Sequence, residues 1–231
     1  MLGLHASAML GDVLETLTGI GLASSAGLNA YIPLLTIGVL GRFTNLIDLP
    51  SGWAWLQEPW VMAILAGLLL IEMVADKIPV VDHINDLVQT VIRPTAGGLA
   101  FGAASSSETV TVTDPASFFS SNQWVPIVAG MVISFIVHGM KAVTRPVVNV
   151  STAGLGAPVA STTEDAFSVA LAFIAILFPL LVVVFLGLLI WLFIAVRRRR
   201  KRKKDEKALL REAERRAHLS GHDDRTLDLW R

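Results

Sequence analysis

The sequence predicts an all-α integral membrane protein with about four transmembrane helices and two short re-entrant segments. Hydrophobic residues make up 53% of the 231 residues and charged residues 16%, with a mean hydropathy of +0.62. Soluble domains are usually about 45–50% apolar and about 25% charged. The chain also has four apolar stretches that approach or exceed the roughly 20 residues needed to cross a bilayer. A run of eight basic residues follows the last stretch. A membrane protein is therefore favoured over a large soluble helical domain.

The predicted spans are the longest segments without a charged side chain: Thr16–Gly41, Pro59–Ile71, Trp124–Met140 and Ala166–Val196. The second is long enough to cross only if Glu72 and Asp76 also lie at membrane depth. The fourth corresponds to about 46 Å of helix, so we expect it to tilt, to kink at Pro179 or to begin outside the hydrocarbon. A capping-box pattern at Ser161–Glu164 predicts that this helix starts near Ser161.

The charge distribution predicts the topology. The segment Arg197–Arg231 carries 14 basic and 7 acidic residues, which leaves 5 basic and 12 acidic residues for 1–196. Because basic residues next to a span tend to stay in the cytoplasm, the cluster Arg197–Lys204 predicts an inner-membrane protein with both termini cytoplasmic. We therefore divide the chain into a multi-pass domain, residues 1–196, and a basic cytoplasmic tail with a short helix, residues 197–231.

The expected partners are the lipid bilayer, anionic lipid head groups at the basic cluster and a further copy of the chain, because four spans enclose little volume. No nucleic acid is expected, and no metal or organic cofactor is predicted. The chain lacks cysteine, which excludes disulfides and thiolate chemistry. It also lacks a nucleotide-binding loop, a histidine cluster and a nucleophile set. An enzyme is therefore the less favoured class.

Two segments resemble each other and predict an inverted repeat. Arg93–Glu108 and Arg145–Glu164 both contain Arg-Pro, then Thr-Ala-Gly, then small apolar residues and finally Ala-Ser-[Ser/Thr]-[Ser/Thr]-Glu. With four spans the two units would begin at opposite faces of the membrane, as in many transporters. Thr95–Ala104 and Thr152–Ala160 are too short to cross, so we expect re-entrant segments there. Chance similarity between segments rich in Gly, Ala and Ser is the alternative.

Polar residues recur at helical spacing in two places. The runs are Asp82, Asp86, Thr90 and Arg93, and His138, Lys141, Arg145 and Asn149. Each run lies on one face of a helix. Each is either the solvated side of an interfacial helix or one half of a polar site.

Glu72 is the acidic residue placed most clearly within a predicted span. Thirteen uncharged residues precede it, and Asp76 follows on the same helix face. A carboxylate at membrane depth is costly and usually faces a partner or a cavity. The candidate partners are the nearby basic residues Lys77, Arg93, Lys141 and Arg145. A structural ion pair and a proton or substrate site are both compatible with the sequence.

The first span contains polar residues that small-residue packing does not explain. Asn29 and Tyr31 need hydrogen-bond partners if they are buried in the membrane, and Pro33 frees a backbone carbonyl near them. Close approach of helices explains the Gly, Ala and Ser residues of Gly21–Ala30. A helix break at Asn29–Pro33 would direct backbone dipoles at a ligand.

Three segments resemble an uncharacterised bacterial membrane family, catalogued only as a domain of unknown function. They are AGLNAYIPLL, ADKIPVVDHINDLVQTVIRPTAGG and STAGLGAPVASTTED. The resemblance covers about Leu14 to Ile190 and implies a multi-pass inner-membrane protein, but it implies no activity, substrate or catalytic residue. One departure is Ala157 before Pro158, where the family pattern implies Asn. The basic tail resembles an addition to the shared core.

The sequence supports three functional hypotheses. A small transporter or channel with an intramembrane polar site, for an anionic or phosphate-bearing ligand, is favoured by Glu72, the Arg-Pro pairs and the repeat. A membrane enzyme acting on a lipid phosphate would hold Mg²⁺ with Asp82 and Asp86. A non-catalytic scaffold would use the tail. The candidate ligand or proton site comprises Asn29, Tyr31, Glu72, Asp76, Lys77, Asp82, Asp86, Arg93, Thr95, His138, Lys141, Arg145, Asn149, Thr152, Glu164 and Asp165.

Overall fold

The computed structural model describes residues 2–76, 79–105, 122–151 and 156–188, together with 190–191, 194–195 and 197–199. Within these residues the chain is helical and contains no strand. In chain order the elements are α1 (Leu2–Leu28), α2 (Tyr31–Phe43), the 3-10 helix η1 (Ser51–Gln57), α3 (Pro59–Ala75), α4 (Pro79–Ala104), α5 (Trp124–Ser151), α6 (Ala157–Leu177) and α7 (Pro179–Leu188).

Two helical segments are long and apolar enough to cross a membrane, Trp124–Thr144 and Pro158–Leu177. A third arises if η1 and α3, which are bent by 61° relative to each other, form one span. Large apolar side chains point outward from the bundle, with Trp60 and Leu70 each 64% exposed. An outer surface of this kind is typical of contact with lipid. The helices therefore indicate a membrane protein.

The first predicted span is not a single crossing helix. A break at Asn29 separates α1 from α2. Glu15 and Leu22 of α1 line one cavity of about 340 Å³ together with Ile37 of α2 and Asp48 beyond it. If the helix were continuous, Glu15 and Asp48 would lie about 50 Å apart. α2 therefore runs back along α1. The structure has a break at the position where the sequence made one conceivable, and the prediction of a single span is wrong. We call this cavity the end cavity.

The fourth predicted span also consists of two helices. α6 begins at Ala157, so Ser161 lies inside the helix and the capping-box prediction is wrong. Phe178 interrupts the helix and Pro179 begins α7. The ring of Phe185 packs edge-on against the ring of Phe167, with centroids 5.6 Å apart. Because these residues are 18 positions apart, α7 runs back along α6.

The first predicted re-entrant segment is helical. Thr95–Ala104 forms the C-terminal part of α4, which continues through Pro94. The second predicted segment, Thr152–Ala160, lies partly outside the described residues, and its last residues begin α6. Neither segment forms a helical hairpin within the described residues; the turn between α1 and α2 does.

The two Arg-Pro pairs lie on neighbouring helices, about two helical turns apart along the bundle. A guanidinium nitrogen of Arg93 is 3.0 Å from Nδ1 of His138 in α5. Arg145 follows His138 by two helical turns. Gly97 and Gly102 of α4 pack against residues nearer the start of α5, so the two helices are antiparallel. Antiparallel helices do not decide whether the two segments form an inverted repeat, which stays a prediction.

Small residues bring α4 and α5 close together. A side chain at Gly97 would collide with Ser134 and with the carbonyl oxygen of Gly130. A side chain at Gly130 would likewise collide with the backbone of Gly97 and with Phe101. Mutual packing of this kind is how small residues stabilise helix pairs in membranes. It also holds the charged residues of α4 and α5 within contact distance.

Candidate functional site

Charged and polar side chains gather at mid-length of α4 and α5. Arg93 is 14 residues from the first residue of α4 and 11 from the last. His138 is 14 residues from the start of α5 and 13 from its end. Each therefore lies about 17–21 Å from either helix end. We call the group the polar centre; its members are Asn29, Tyr31, Glu72, Asp76, Asp86, Gln89, Arg93, His138, Lys141, Glu164 and Asp165.

Glu72 and Arg93 form the most deeply buried ion pair of the polar centre. Nη2 of Arg93 donates to Oε1 of Glu72 at 2.8 Å, and Oδ2 of Asp76 lies 3.9 Å from the same nitrogen. The side chains of Arg93, Glu72 and Asp76 are at most 1% exposed. Removing one partner of a buried pair leaves an uncompensated charge, which costs far more than the pair itself contributes. The helices therefore constrain each other through this contact.

Lys141 joins three elements through its ammonium group. It donates to the carbonyl oxygen of Leu28 at 3.1 Å and contacts Oδ2 of Asp76 at 3.2 Å and Oε2 of Glu164 at 3.0 Å. These acceptors belong to the ends of α1 and α3 and to α6. An ammonium group has three donors, so the three contacts satisfy it. These contacts bring together Lys141, Asp76 and Glu164, which are three residues of the predicted site.

His138 connects Arg93 to the backbone of α4. The hydroxyl of Thr90 donates to the carbonyl of Asp86 at 2.8 Å, so its oxygen can accept from Nε2 of His138 at 3.2 Å. Nδ1 of His138 then accepts from Arg93 at 3.0 Å. This hydrogen-bond pattern assigns the neutral tautomer that carries its proton on Nε2.

Asn29 explains why the chain reverses between α1 and α2. Its Oδ1 accepts from the backbone N–H groups of Tyr31 and Ile32 at 3.1 and 3.3 Å, which are otherwise unsatisfied at a helix start. Its Nδ2 donates to Oδ1 of Asp165 in α6 at 3.0 Å. Pro33 has no N–H to satisfy and tolerates this position. One side chain thus caps α2 and ties the hairpin tip to α6.

Three buried polar atoms near Glu72 have no hydrogen-bond partner among the described residues. They are Oε2 of Glu72, Oε1 of Gln89 and Nε of Arg93. The side chain of Gln89 lies within hydrogen-bonding reach of the Tyr31 hydroxyl, and Tyr31 lies close enough to Glu72 and Arg93 to interact electrostatically. Glu72, Gln89 and Arg93 are at most 2% exposed. Buried polar atoms without a partner are few in native structures, and each needs an explanation such as strain, a bound water or a functional role.

The structure places most of the predicted site residues together, with one clear exception. Thr95 is exposed, and its hydroxyl donates to the carbonyl of Val91 in its own helix, so its prediction as a site residue is wrong. Helix position explains this, because Thr95 lies two residues after Arg93 on another face. Five further predicted side chains lie outside the described part of the chain: Lys77, Asp82, Arg145, Asn149 and Thr152.

Sequence reasoning missed an amide-bearing face of α4. Asn85 donates to Oδ1 of Asp76 at 2.7 Å, and Gln89 lies one turn later beside Tyr31. Together with Arg93 they follow a spacing of four, which was visible in the sequence. The residues predicted from the sequence lie on the neighbouring face, which carries Asp86, because that face has more charged residues. The hydroxyl of Ser134 donates to the carbonyl of Arg93 at 2.7 Å. No sequence pattern indicated this contact.

No group of three or more His, Asp or Glu side chains in the described part of the chain is arranged to hold a metal ion. Instead, carboxylates alternate with Arg93 and Lys141. This arrangement can hold or exchange protons and small polar species.

Residues 16–199 match the family model described as Domain of unknown function (DUF4126). The chain belongs to the DUF4126 family. The matched residues include every member of the polar centre. No curated protein matches the chain. No solved structure matches it.

Proposed function

We propose that this DUF4126 protein is a small membrane transporter that moves a proton or a proton-linked solute through its polar centre. The observation that carries the proposal is Glu72. Its carboxylate is buried at mid-bundle, pairs with Arg93 through one oxygen and leaves the other oxygen without a partner among the described residues. A purely structural ion pair would be expected to satisfy both oxygens. Ionisable groups within a membrane domain commonly mark proton or substrate pathways.

The charge balance favours a proton or a cation over the anionic ligand predicted from the sequence. Five carboxylates of the polar centre face two cations, and both cations already contact carboxylates. Counting Lys77, Asp82 and Arg145 as well, the same region of the sequence has six acidic and four basic residues. An anion would compete with bound carboxylates, whereas a proton relieves the surplus negative charge. A phosphate-bearing ligand is therefore the weaker form of the hypothesis.

The hairpin of α1 and α2 supports a transport role. Its tip brings the carbonyl of Leu28 and the capping side chain of Asn29 to the polar centre. Helices that break within the membrane expose backbone groups where coupling ions and substrates bind. The end cavity lies along the same hairpin, nearer the start of α1. In this proposal it would serve as the entrance to the bundle on that side.

Protonation of Glu72 would act on a defined set of neighbours. Arg93 binds Glu72 and also contacts His138. Asp76, Lys141 and Tyr31 interact with Glu72 electrostatically. A neutral Glu72 would leave Arg93 with Asp76, 3.9 Å away, as its ion-pair partner among the described contacts. Asp76 also binds Lys141, and Lys141 donates to the carbonyl of Leu28 at the hairpin tip. Loss of the negative charge on Glu72 would therefore affect the hairpin.

The lipid-phosphate enzyme and the scaffold have less support. The enzyme hypothesis requires Mg²⁺ between Asp82 and Asp86, and the side chain of Asp82 lies outside the described part of the chain. The scaffold hypothesis rests on the tail alone. We further infer an inner-membrane location with about four crossing segments and a cytoplasmic basic tail, since the positive-inside tendency applies to Arg197–Lys204. Binding of that cluster to anionic head groups and assembly with a second copy are proposed with it.

Proton flux in proteoliposomes tests the proposal. Purified protein is reconstituted with a pH-sensitive dye inside the vesicles, and flux is driven by a potassium diffusion potential. We expect Glu72→Gln to abolish the flux, because glutamine keeps the volume but carries no exchangeable acid proton. Glu58→Gln is the matched control, since Glu58 is exposed at the start of α3. Wild-type protein with no flux above empty vesicles, with or without added solutes, would contradict the proposal.

A further inference from the structure

The three unpartnered atoms near Glu72 have a definite hydrogen-bonding character. Oε2 of Glu72 and Oε1 of Gln89 are acceptors, whereas Nε of Arg93 carries an N–H donor. Arg93 links the set, because it binds Glu72 directly and lies one helical turn from Gln89. A ligand that satisfies all three must donate twice and accept once.

We propose that a water molecule binds between Glu72, Gln89 and Arg93 and serves as the immediate proton donor and acceptor for Glu72. Water has two donors and two acceptor lone pairs, so it satisfies the three atoms and retains one lone pair. Buried waters in proteins typically make about three hydrogen bonds to groups that are otherwise unsatisfied. The inference rests on the proposed function, since it names the species that delivers the proton.

The same atoms exclude two other ligands. A sodium ion would need several oxygen ligands and would meet the N–H of Arg93, a positively charged group. An anion would meet the carboxylate of Glu72 and the amide oxygen of Gln89. Only a small neutral species with both donors and acceptors fits the set. This assigns Gln89 a positioning role that the sequence analysis did not give it.

The proton step balances without any further reactant. The bound water passes one of its protons to Oε2 of Glu72, while its free lone pair takes up a proton from a hydronium ion of the access pathway, which becomes water. Neutral water remains, and the negative charge of the carboxylate is lost. The reverse step returns the proton from Glu72 to the water. The hydrogen bond of Arg93 to Oε1 holds the carboxyl group in place throughout.

Infrared difference spectroscopy of the full-length protein in lipid nanodiscs tests the inference without any transport measurement. The carboxylic acid band that appears on acidification and is absent in Glu72→Gln is assigned to Glu72. We expect Gln89→Leu to shift this band and to slow its hydrogen–deuterium exchange about tenfold, the equivalent of about 1.4 kcal/mol. Gln89→Asn, which keeps the amide, should slow exchange less. Thr95→Val is the control, because Thr95 is exposed on the same helix.

The outcomes separate this inference from the proposed function. An unchanged Glu72 band in correctly folded Gln89→Leu overturns the water site even if proton flux is intact. A band that sodium ions suppress competitively also overturns it, because the site would then hold a cation. A Gln89-dependent band in a protein without flux supports the water site while the transport proposal fails. Native-like helix content and a single gel-filtration peak confirm that each variant has folded.

Discussion

The ammonium group of Lys141 donates to the carbonyl oxygen of Leu28, the last residue of α1, at 3.1 Å. That carbonyl has no helical partner, because the N–H of Ile32 is turned to the side chain of Asn29. A lysine from a distant helix therefore completes the hydrogen bonding of the hairpin tip. The same ammonium holds Asp76 and Glu164, so the hairpin and the polar centre depend on one residue.

Replacing Lys141 should destabilise the bundle strongly. Lys141→Met keeps the length of the side chain but leaves Asp76, Glu164 and a carbonyl without their cation, which should cost about 3–5 kcal/mol. The free energy of unfolding in mixed detergent micelles measures the change. Arg42→Met is the control, because Arg42 is exposed and makes one hydrogen bond to a backbone carbonyl. Equal stability of the two variants would show that the buried contacts do not contribute.

The Glu72–Arg93 pair should show strong thermodynamic coupling. Arg93→Gln strands a buried carboxylate and Glu72→Gln strands a buried guanidinium, so each single change should cost about 3–5 kcal/mol. The double variant removes both charges and should be more stable than the sum of the single effects by at least about 1 kcal/mol. A double-mutant cycle of unfolding free energies measures this difference. Additive effects would mean that the two side chains do not form a pair in the membrane.

Asn29→Ala should loosen the hairpin tip. It removes a cap that satisfies two backbone N–H groups and one hydrogen bond to Asp165. Loss of a cap usually costs about 0.5–2 kcal/mol. Asn29→Asp retains the capping oxygen but places a carboxylate against Asp165, so it should protect the backbone of Tyr31 yet weaken the contact with α6. Amide hydrogen exchange at Tyr31 and Ile32 distinguishes the two effects, and fast exchange in the wild type would contradict the cap.

A matched pair of glycine variants tests the contact between α4 and α5. Gly97→Ala adds a methyl group that collides with Ser134 and the backbone of Gly130, so it should destabilise the protein despite the better helix propensity of alanine. Gly139→Ala in α5 meets no atom within 4 Å, so it should be neutral or more stable by up to about 1 kcal/mol. Thermal unfolding in detergent measures both. The reverse order would show that the helices are not in close contact at Gly97.

The sequence predicted the members of the polar centre better than it predicted the path of the chain. Glu72, Arg93 and Lys141 could be identified because charged residues within apolar segments require partners, whatever the topology. Asn29 and Pro33 likewise made a local break conceivable. The direction of the chain after a break could not be predicted, because it depends on packing between distant residues, such as Phe185 against Phe167.

The inverted repeat, which stays a prediction, depends on the path of the chain in the same way. The orientation of its two Arg-Pro units was derived from a count of four spans. The structure adds a hairpin at Asn29 and a reversal at Pro179, and each of these turns reverses the direction of the neighbouring helix. Hydropathy reports how long an apolar segment is, and it does not report whether the segment turns back halfway.

Membrane-impermeant thiol labelling tests the helix directions directly. The natural chain has no cysteine, so single variants Asp48→Cys, Glu58→Cys and Ser151→Cys can be made without a background signal. Asp48 lines the end cavity, Glu58 precedes α3 at the same end of the bundle, and Ser151 ends α5 at the other end. We therefore expect Asp48→Cys and Glu58→Cys to be labelled from one side of the membrane and Ser151→Cys from the opposite side. A four-span chain with a single helix over 16–41 would place Asp48 and Ser151 on the same side. Labelling of all three from one side would thus refute the hairpin and restore the simpler topology.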